Sequence, residues 1–202
     1  MVKKNDVSYV SLNVERPIWD EFFTVYPLVI VGTKEMDGNY DLAPKHLAIP
    51  VSWDNYFGFV CSATHGTYQN IKRQGEFTVS YPRPDQAILT SLAASPRDDD
   101  ATKPIVGALP TRRAELVDSL FLSDSYLNLE CKLHQIFDGF GANSLITGKI
   151  IAAQIISGAM RQEEIDDADI IRNLPLLAYL YPGRFAEIEK TDGLPFPVNF
   201  KR

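Results

Sequence analysis

The sequence predicts a mainly β domain, an antiparallel barrel with short helices on its outside. Three observations lead there. The apolar runs in the middle of the chain are short and rich in β-branched and aromatic residues. Clusters of Gly, Pro, Asp and Asn separate them, and the stretches with helical capping signals are few and brief. Half a dozen or more strands with antiparallel turn signals bury their apolar faces by closing into a barrel, with the helices left outside.

Pro27 to Thr33 (PLVIVGT) reads as a buried strand ended by Met36-Asp37-Gly38-Asn39. Its Asp-Gly pair suits a hairpin because glycine accepts positive φ. The partner strand runs from Tyr40 towards Ala43 and is expected to stop at Pro44. Tyr56 to Ser62 (YFGFVCS) is a further strand, and Glu76 to Tyr81 sets Phe77, Val79 and Tyr81 on one face. Thr67 is placed to cap a helix over Tyr68 to Gln74, with Gly75 beyond it at the left-handed position. Asp85 is placed to cap Gln86 to Ala94, and Asp98-Asp99-Asp100 reads as a solvated loop. Leu127, Leu129, Cys131 and Leu133 alternate with Asn128, Glu130 and Lys132, the period-two pattern of a half-buried strand. Asp138 to Gly141 (DGFG) turns the chain into the β-rich run Leu145 to Ile156. Asp166 to Asn173 gives a third helix before Pro175, and Arg184 to Ile188 a last strand.

No repeat, low-complexity segment or linker divides the 202 residues, so one domain over 1–202 is expected. A chain of this length buries about 70 % of its unfolded surface and needs no covalent staples. The net charge of −6 argues against nucleic acid as a general partner, while the local basic spots Lys72-Arg73 and Arg112-Arg113 remain candidates for anion binding. Cys61 and Cys131 sit inside strand-like runs and read as buried thiols of a reducing compartment. The N-terminus has no apolar core of signal-peptide length, and no run approaches the ~18 apolar residues of a membrane span. A soluble, cytoplasmic protein with no membrane partner is the expectation.

Several catalytic patterns fail on inspection. Gly139-x-Gly141-x-x-Ser144 resembles a dinucleotide fingerprint, but a strand follows it where a helix N-terminus is needed, so a hairpin turn is expected. Gly148-Lys149 is followed by Ile150, and Asn143 stands where a phosphate loop needs Gly. His46, His65 and His134 have no metal-ligand spacing, so no metal site is expected. No G-x-S-x-G elbow is present, and no carboxylate pair stands out for hydrolysis. Two loops survive. Asp41-Leu42-Ala43-Pro44-Lys45-His46-Leu47 closes the hairpin's second strand. Cys61-Ser62-Ala63-Thr64-His65-Gly66-Thr67 runs into a short helix that carries Asn70. Hydroxyls, a glycine and a helix N-terminus are the chemistry of an anion site, with Lys45 and Lys72-Arg73 available to neutralise charge. The same residues also read as an ordinary cap and turn, and the loop alone leaves both readings open.

The order of these segments resembles the flavin reductase-like, FMN-binding split-barrel family. The resemblance is carried by the Asp37-Gly38 hairpin, the Asp41-Leu42-Ala43-Pro44 stretch, and Ser62-x-x-x-x-Thr67-x-x-Asn70-Ile71 ahead of Gly75-Glu76-Phe77. Leu129-Glu130-Cys131-Lys132-Leu133, Ser144-Leu145-Ile146-x-Gly148 and Tyr181-Pro182-Gly183-Arg184-Phe185 continue it, so that it spans roughly residues 20–200. It implies an antiparallel split barrel holding FMN, with FAD open. Asp41, Leu42, Ala43, Pro44, Lys45, His46, Leu47, Cys61, Ser62, Ala63, Thr64, Thr67 and Asn70 are the implied cofactor-binding residues. Backbone N–H groups of Ala43 to Leu47 would face the ring's polar edge. Ser62, Thr64, Thr67, Asn70 and Lys45 would meet the ribityl chain and phosphate.

Asp41 stands where many relatives have Asn, and Lys45-His46 replace the small hydroxyl residues common after the Pro. His46 would lie over the ring or on the nicotinamide side, or simply pack at the rim. The implied reaction is hydride transfer from NAD(P)H to flavin N5 and onward to a second acceptor. The flavin carries that chemistry, so no catalytic side chain is singled out. A flavoredoxin-like electron carrier without a nicotinamide site, and a cofactor-free interaction barrel, stay open beside it. A homodimer is implied, with Leu194 to Phe200 as apolar surface for the partner subunit; a monooxygenase or another acceptor would take the electrons.

Overall fold

A computed structural model describes residues 7–99 and 102–195 and gives the mainly β, antiparallel architecture. In chain order the elements are β1 (Thr24–Pro27), β2 (Val29–Lys34), β3 (Tyr40–Lys45), β4 (Ala48–Ser52), β5 (Tyr56–Ser62) and α1 (Gly66–Gln74). There follow β6 (Glu76–Tyr81), α2 (Ala87–Leu92), α3 (Ile105–Ala108), β7 (Thr111–Arg113), β8 (Leu120–Leu122) and β9 (Leu127–Phe140). The chain ends with β10 (Asn143–Ile155), α4 (Asp167–Asn173), β11 (Leu176–Tyr181) and β12 (Arg184–Ile188). Seven strands form one sheet in the order β3-β2-β6-β9-β10-β5-β4, with β1-β11-β12 as a three-stranded sheet and β7-β8 as a hairpin.

The topology itself dictates a barrel. β3 and β4 are the two edges of the seven-stranded sheet, yet only His46 and Leu47 separate them in the chain. At about 3.8 Å per residue, that connection cannot cross an open sheet of seven strands spaced roughly 4.8 Å apart. The sheet therefore curls until its edges almost meet, and the split lies at the 46–47 corner. Val29, Val31, Phe57, Phe59, Phe77, Val79 and Ile146 fill the interior, and α1 plugs it with Tyr68 and Ile71. Ile30, one residue out of phase with Val29 and Val31, points outward into a second core with Leu42, Ala93, Val106 and Leu122. β2 is thus buried on both faces, which is why its sequence is an unbroken apolar run.

Several expectations need correction. β3 does not stop at Pro44 but runs on to Lys45. Proline is tolerated because β3 is an edge strand: Pro44, opposite Ile30, turns its donor-less nitrogen away from β2. The polar face of β9 is only partly in solvent: Lys132 is exposed, but two of its neighbours on that face are not. Asn128 and Glu130 are buried under the excursion that contains β7 and β8. Glu130 accepts backbone N–H bonds from Glu115 (3.2 Å), Leu116 (2.6 Å) and Val117 (2.9 Å). Ser80 Oγ donates to Asn128 Oδ1 at 2.9 Å and accepts from Leu122 N–H at 3.1 Å. The alternation was legible, but two of the polar residues meet protein partners, Glu130 backbone N–H groups and Asn128 a serine hydroxyl, rather than water.

α1 starts at Gly66 behind His65, so Thr67 lies inside the helix and is not its cap; Gly75 does close it in the left-handed region (φ 72). A 3-10 turn over Pro84–Gln86 precedes α2, which ends at Leu92. The Gly139/Gly141 segment is the β9–β10 hairpin, with φ of 102 and 63, and β9 reaches Phe140. Asp98 and Asp99 are exposed, while Asp100 and residues 196–200 of the predicted docking tail lie outside the described residues. No helix among the described residues is long and apolar enough to cross a membrane.

Candidate functional site

The end of β3, the loop into α1 and the segment after α2 enclose a cavity of about 430 Å³. Asp41, Ala43, Pro44, Lys45, Thr64 and Thr67 line it, joined by His65, Gly66, Arg97 and Lys103. Its electrostatics come from three cations and one buried carboxylate. Asp41 is 4 % exposed and accepts from Lys103 Nζ at 2.9 Å, with Arg97 Nη2 at 3.4 Å. Lys103 also donates to the Leu42 carbonyl at 2.9 Å, on the free edge of β3. Arg97 reaches Glu35 through both Nη1 (3.0 Å) and Nη2. Lys45 is different. Half-buried, its ammonium has neither a hydrogen bond nor a salt bridge among the described residues, and burial holds it below the ordinary lysine range, with Cys61 and Asp41 opposing that and Lys103 adding to it.

The loop before α1 is internally tied. Ser62 Oγ and Thr64 Oγ1 lie 3.0 Å apart, and Gln69 Nε2 donates to the Ala63 carbonyl at 2.7 Å. These bonds set the entry of α1, so that its first residues, Gly66 and Thr67, face the cavity. Ser62 does not line the cavity itself. Cys61 faces the barrel core; its thiol lies 4.0 Å from His65 Nδ1, and burial pushes its pKa up against the pull of Lys45. Leu42 belongs to the second core, and Asn70 turns inward, where its Nδ2 donates to Thr33 Oγ1 at 3.0 Å. Their spacing in the sequence put them near the cavity but did not report which way they point.

Beyond Pro44 the surroundings become aromatic. His46 stacks on Tyr181 (5.4 Å between ring centres) and packs against Tyr179 (5.0 Å) and Tyr26 (5.6 Å). Burial, then Lys45, lowers its pKa and keeps the imidazole neutral at neutral pH. Leu47, His46, Trp19, Tyr26 and Tyr181 line a cavity of about 360 Å³. Pro44 and His46 also border a cleft of about 330 Å³ between α2 and the β11–β12 turn. The corner that the barrel split creates is therefore the junction of one cationic and two aromatic spaces. Sequence reasoning missed Arg97, Lys103 and the tyrosines, which arrive from distant elements; His65 and Gly66 lay inside the loop it singled out.

Comparisons with known proteins agree with the fold. The chain is 27 % identical over 158 residues to an uncharacterized protein of Methanothermobacter thermautotrophicus, covering 75 % of this chain and 73 % of the relative. Nitrilotriacetate monooxygenase component B from Bacillus cereus superposes with a TM-score of 0.78 at 14 % identity, over 93 % of this chain and all of that one (100 %). Flavoredoxin from Methanosarcina acetivorans gives 0.75 at 19 % identity, over 95 % and 97 %. At such identities these two establish the shared fold. The family model for the flavin reductase like domain matches residues 23–188, and the chain belongs to that family of flavin-related oxidoreductases.

Proposed function

We propose that this chain binds FMN at the β3–α1 cavity and works as an NAD(P)H-dependent flavin oxidoreductase that hands electrons to a second acceptor. One observation carries the reading: Lys45, a desolvated ammonium with no partner among the described residues, stands in a cavity that two further cations and the start of α1 also face. Such a site favours a dianion, because each phosphate oxygen replaces water that the ammonium lost on burial. A planar ring would continue from the cationic cavity past Lys45 to the aromatic cavity that Tyr26, His46 and Tyr181 line. Cationic end and aromatic end together fit a flavin mononucleotide.

When bound, the flavin supplies hydride acceptance at N5 and the return of those electrons to an acceptor. The chain's own part is positioning. Lys45, Thr64 and Thr67 would hold the phosphate end. The amides of His46 and Leu47 lie outside the β2–β3 and β4–β5 ladders and would face the ring's polar edge. Asp41 orients Lys103 and Arg97 rather than touching flavin, and Asn70 seats α1 through Thr33.

Exposed Ile49, Val51 and Trp53 at β4, with Phe137 and Phe140 on β9, offer apolar surface for a homodimer. The likeness to a monooxygenase component supports a partner monooxygenase as acceptor, in the cytoplasm. An absorption spectrum with FMN, before and after anaerobic NADH or NADPH, tests the reading. A perturbed band that bleaches supports it and identifies the donor. A perturbed band that stays oxidised points to an electron carrier, and no perturbation with FMN or FAD refutes flavin binding.

A further inference from the structure

We propose that the cleft between α2 and the β11–β12 turn binds a small aromatic carboxylate, whose carboxylate pairs with Arg184 while its ring lies against Tyr179 and Phe185. Arg184 opens β12 at the rim of this cleft, and its guanidinium has no hydrogen bond or salt bridge among the described residues. No acidic side chain lines the cleft, although the protein as a whole carries a charge of −6. A lone guanidinium over an acid-free cleft selects an anion, and its planar fork matches a carboxylate through two parallel bonds.

The walls select the rest of the ligand. Leu28, Pro44, Tyr179 and Phe185 are apolar or aromatic, and offset or edge-on ring contacts stabilise an aromatic guest by about 0.5–1.5 kcal/mol each beyond area burial. Tyr179 is held in place because its hydroxyl accepts the Gly183 N–H at 2.9 Å. Thr90 is committed to the Gln86 carbonyl at 3.0 Å, so Ser91 is the hydroxyl left on the α2 side. Size sets the limit. At about 330 Å³ the cleft lies at the small end of ligand sites, which admits one ring and its carboxylate but not a dinucleotide. The site shares Pro44 and Ala94 with the cationic cavity and His46 with the aromatic one, whereas Ser91, Tyr179, Arg184 and Phe185 line neither. Occupancy of the cleft therefore goes beyond the flavin reading and does not depend on it.

The test is calorimetric titration of the full chain with benzoate and with its neutral analogue benzamide, both with and without FMN. Benzoate is expected to bind more tightly than benzamide. Arg184→Gln should weaken benzoate roughly tenfold or more, the usual effect of losing a charged hydrogen bond, while leaving benzamide and FMN affinities unchanged. Ser91→Trp, which fills the cleft from the exposed side of α2, should abolish binding of both probes and keep FMN. Equal benzoate affinity in wild type and Arg184→Gln overturns the proposal. So does an absence of benzoate binding to a protein that still takes FMN. If reduced nicotinamide mononucleotide binds in an Arg184-dependent way and benzoate does not, the cleft is a nucleotide site and the aromatic-acid assignment is wrong. Arg184-dependent benzoate binding without FMN binding would uphold the cleft and sink the flavin reading.

Discussion

Replacing Lys45 by Met separates the two roles a buried lysine can have. The side chain keeps its length and apolar stem but loses a charge that no described residue pairs with. If that charge serves the phosphate of FMN, its removal deletes a charge-assisted hydrogen bond, about 1.5–3 kcal/mol, or roughly 10- to 150-fold in Kd. The protein without ligand should respond in the opposite direction. A desolvated, unpaired ammonium is a cost of folding, so Lys45→Met is expected to leave stability unchanged or raise it by up to about 1 kcal/mol. For a chain of this size that is a rise in Tm of roughly 2–4 °C at most. Quenching of FMN fluorescence gives the first quantity and thermal unfolding with and without FMN the second. Opposite signs are the signature of a ligand-binding charge. An unchanged Kd, or an apo Tm several degrees lower, would refute the reasoning, because either result means the ammonium has a partner within the protein.

Four further outcomes are expected. Burial lowers the Lys45 pKa and a bound phosphate raises it again. FMN affinity should be flat below the free-protein pKa and fall, by at most about tenfold per pH unit, as pH rises through it towards the ordinary lysine range. Titrations between about pH 7 and 10 should lose this slope in Lys45→Met. Asp41→Asn strands Lys103, whose side chain is 9 % exposed, without its counter-charge, and should cost about 3 kcal/mol and lower Tm by roughly 6–12 °C. Glu130→Gln cannot serve all three backbone donors of 115–117, and urea unfolding should show a loss of about 2 kcal/mol. Gly32→Ala places a Cβ 2.2 Å from the Leu120 carbonyl oxygen, a backbone atom that cannot swing away. Its midpoint in the same denaturant series should fall by about 2 kcal/mol or more.

The strands whose signals are self-contained were legible. β5, β6 and β12 fall where their own patterns put them, because turn residues bound each run and its period needs no outside information. The strands that escaped carry weak local signals for a structural reason. β4 contains Pro50 and exposes four of its five residues, as an edge strand does, so it shows no apolar alternation. β9 shows the alternation, but burial of Asn128 and Glu130 depends on a chain excursion that period two cannot report. The same division holds at the site. Asp41 to Lys45 and Thr64 to Thr67 were legible because each group is local. Arg97 and Lys103 were not, since they lie 56 and 62 positions from Asp41 in the chain, and only tertiary closure brings them together.

The position of the site follows from the barrel closure rather than from any single motif. Two residues joining opposite edges of a seven-stranded sheet force a gap at His46 and Leu47, and a gap leaves backbone amides outside any ladder. Such amides need partners. On one side of the corner the partner space is cationic, with Lys45, Arg97 and Lys103; on the other it is aromatic, with Tyr26, Tyr179 and Tyr181. An acidic protein that gathers cations at one corner repels anions elsewhere and draws them there, which raises encounter rates at low salt and fades with screening. Added salt should therefore weaken FMN binding to wild type more steeply than to Lys45→Met. Parallel salt dependences in titrations of the two proteins would show that Lys45 adds nothing to the field that the phosphate meets.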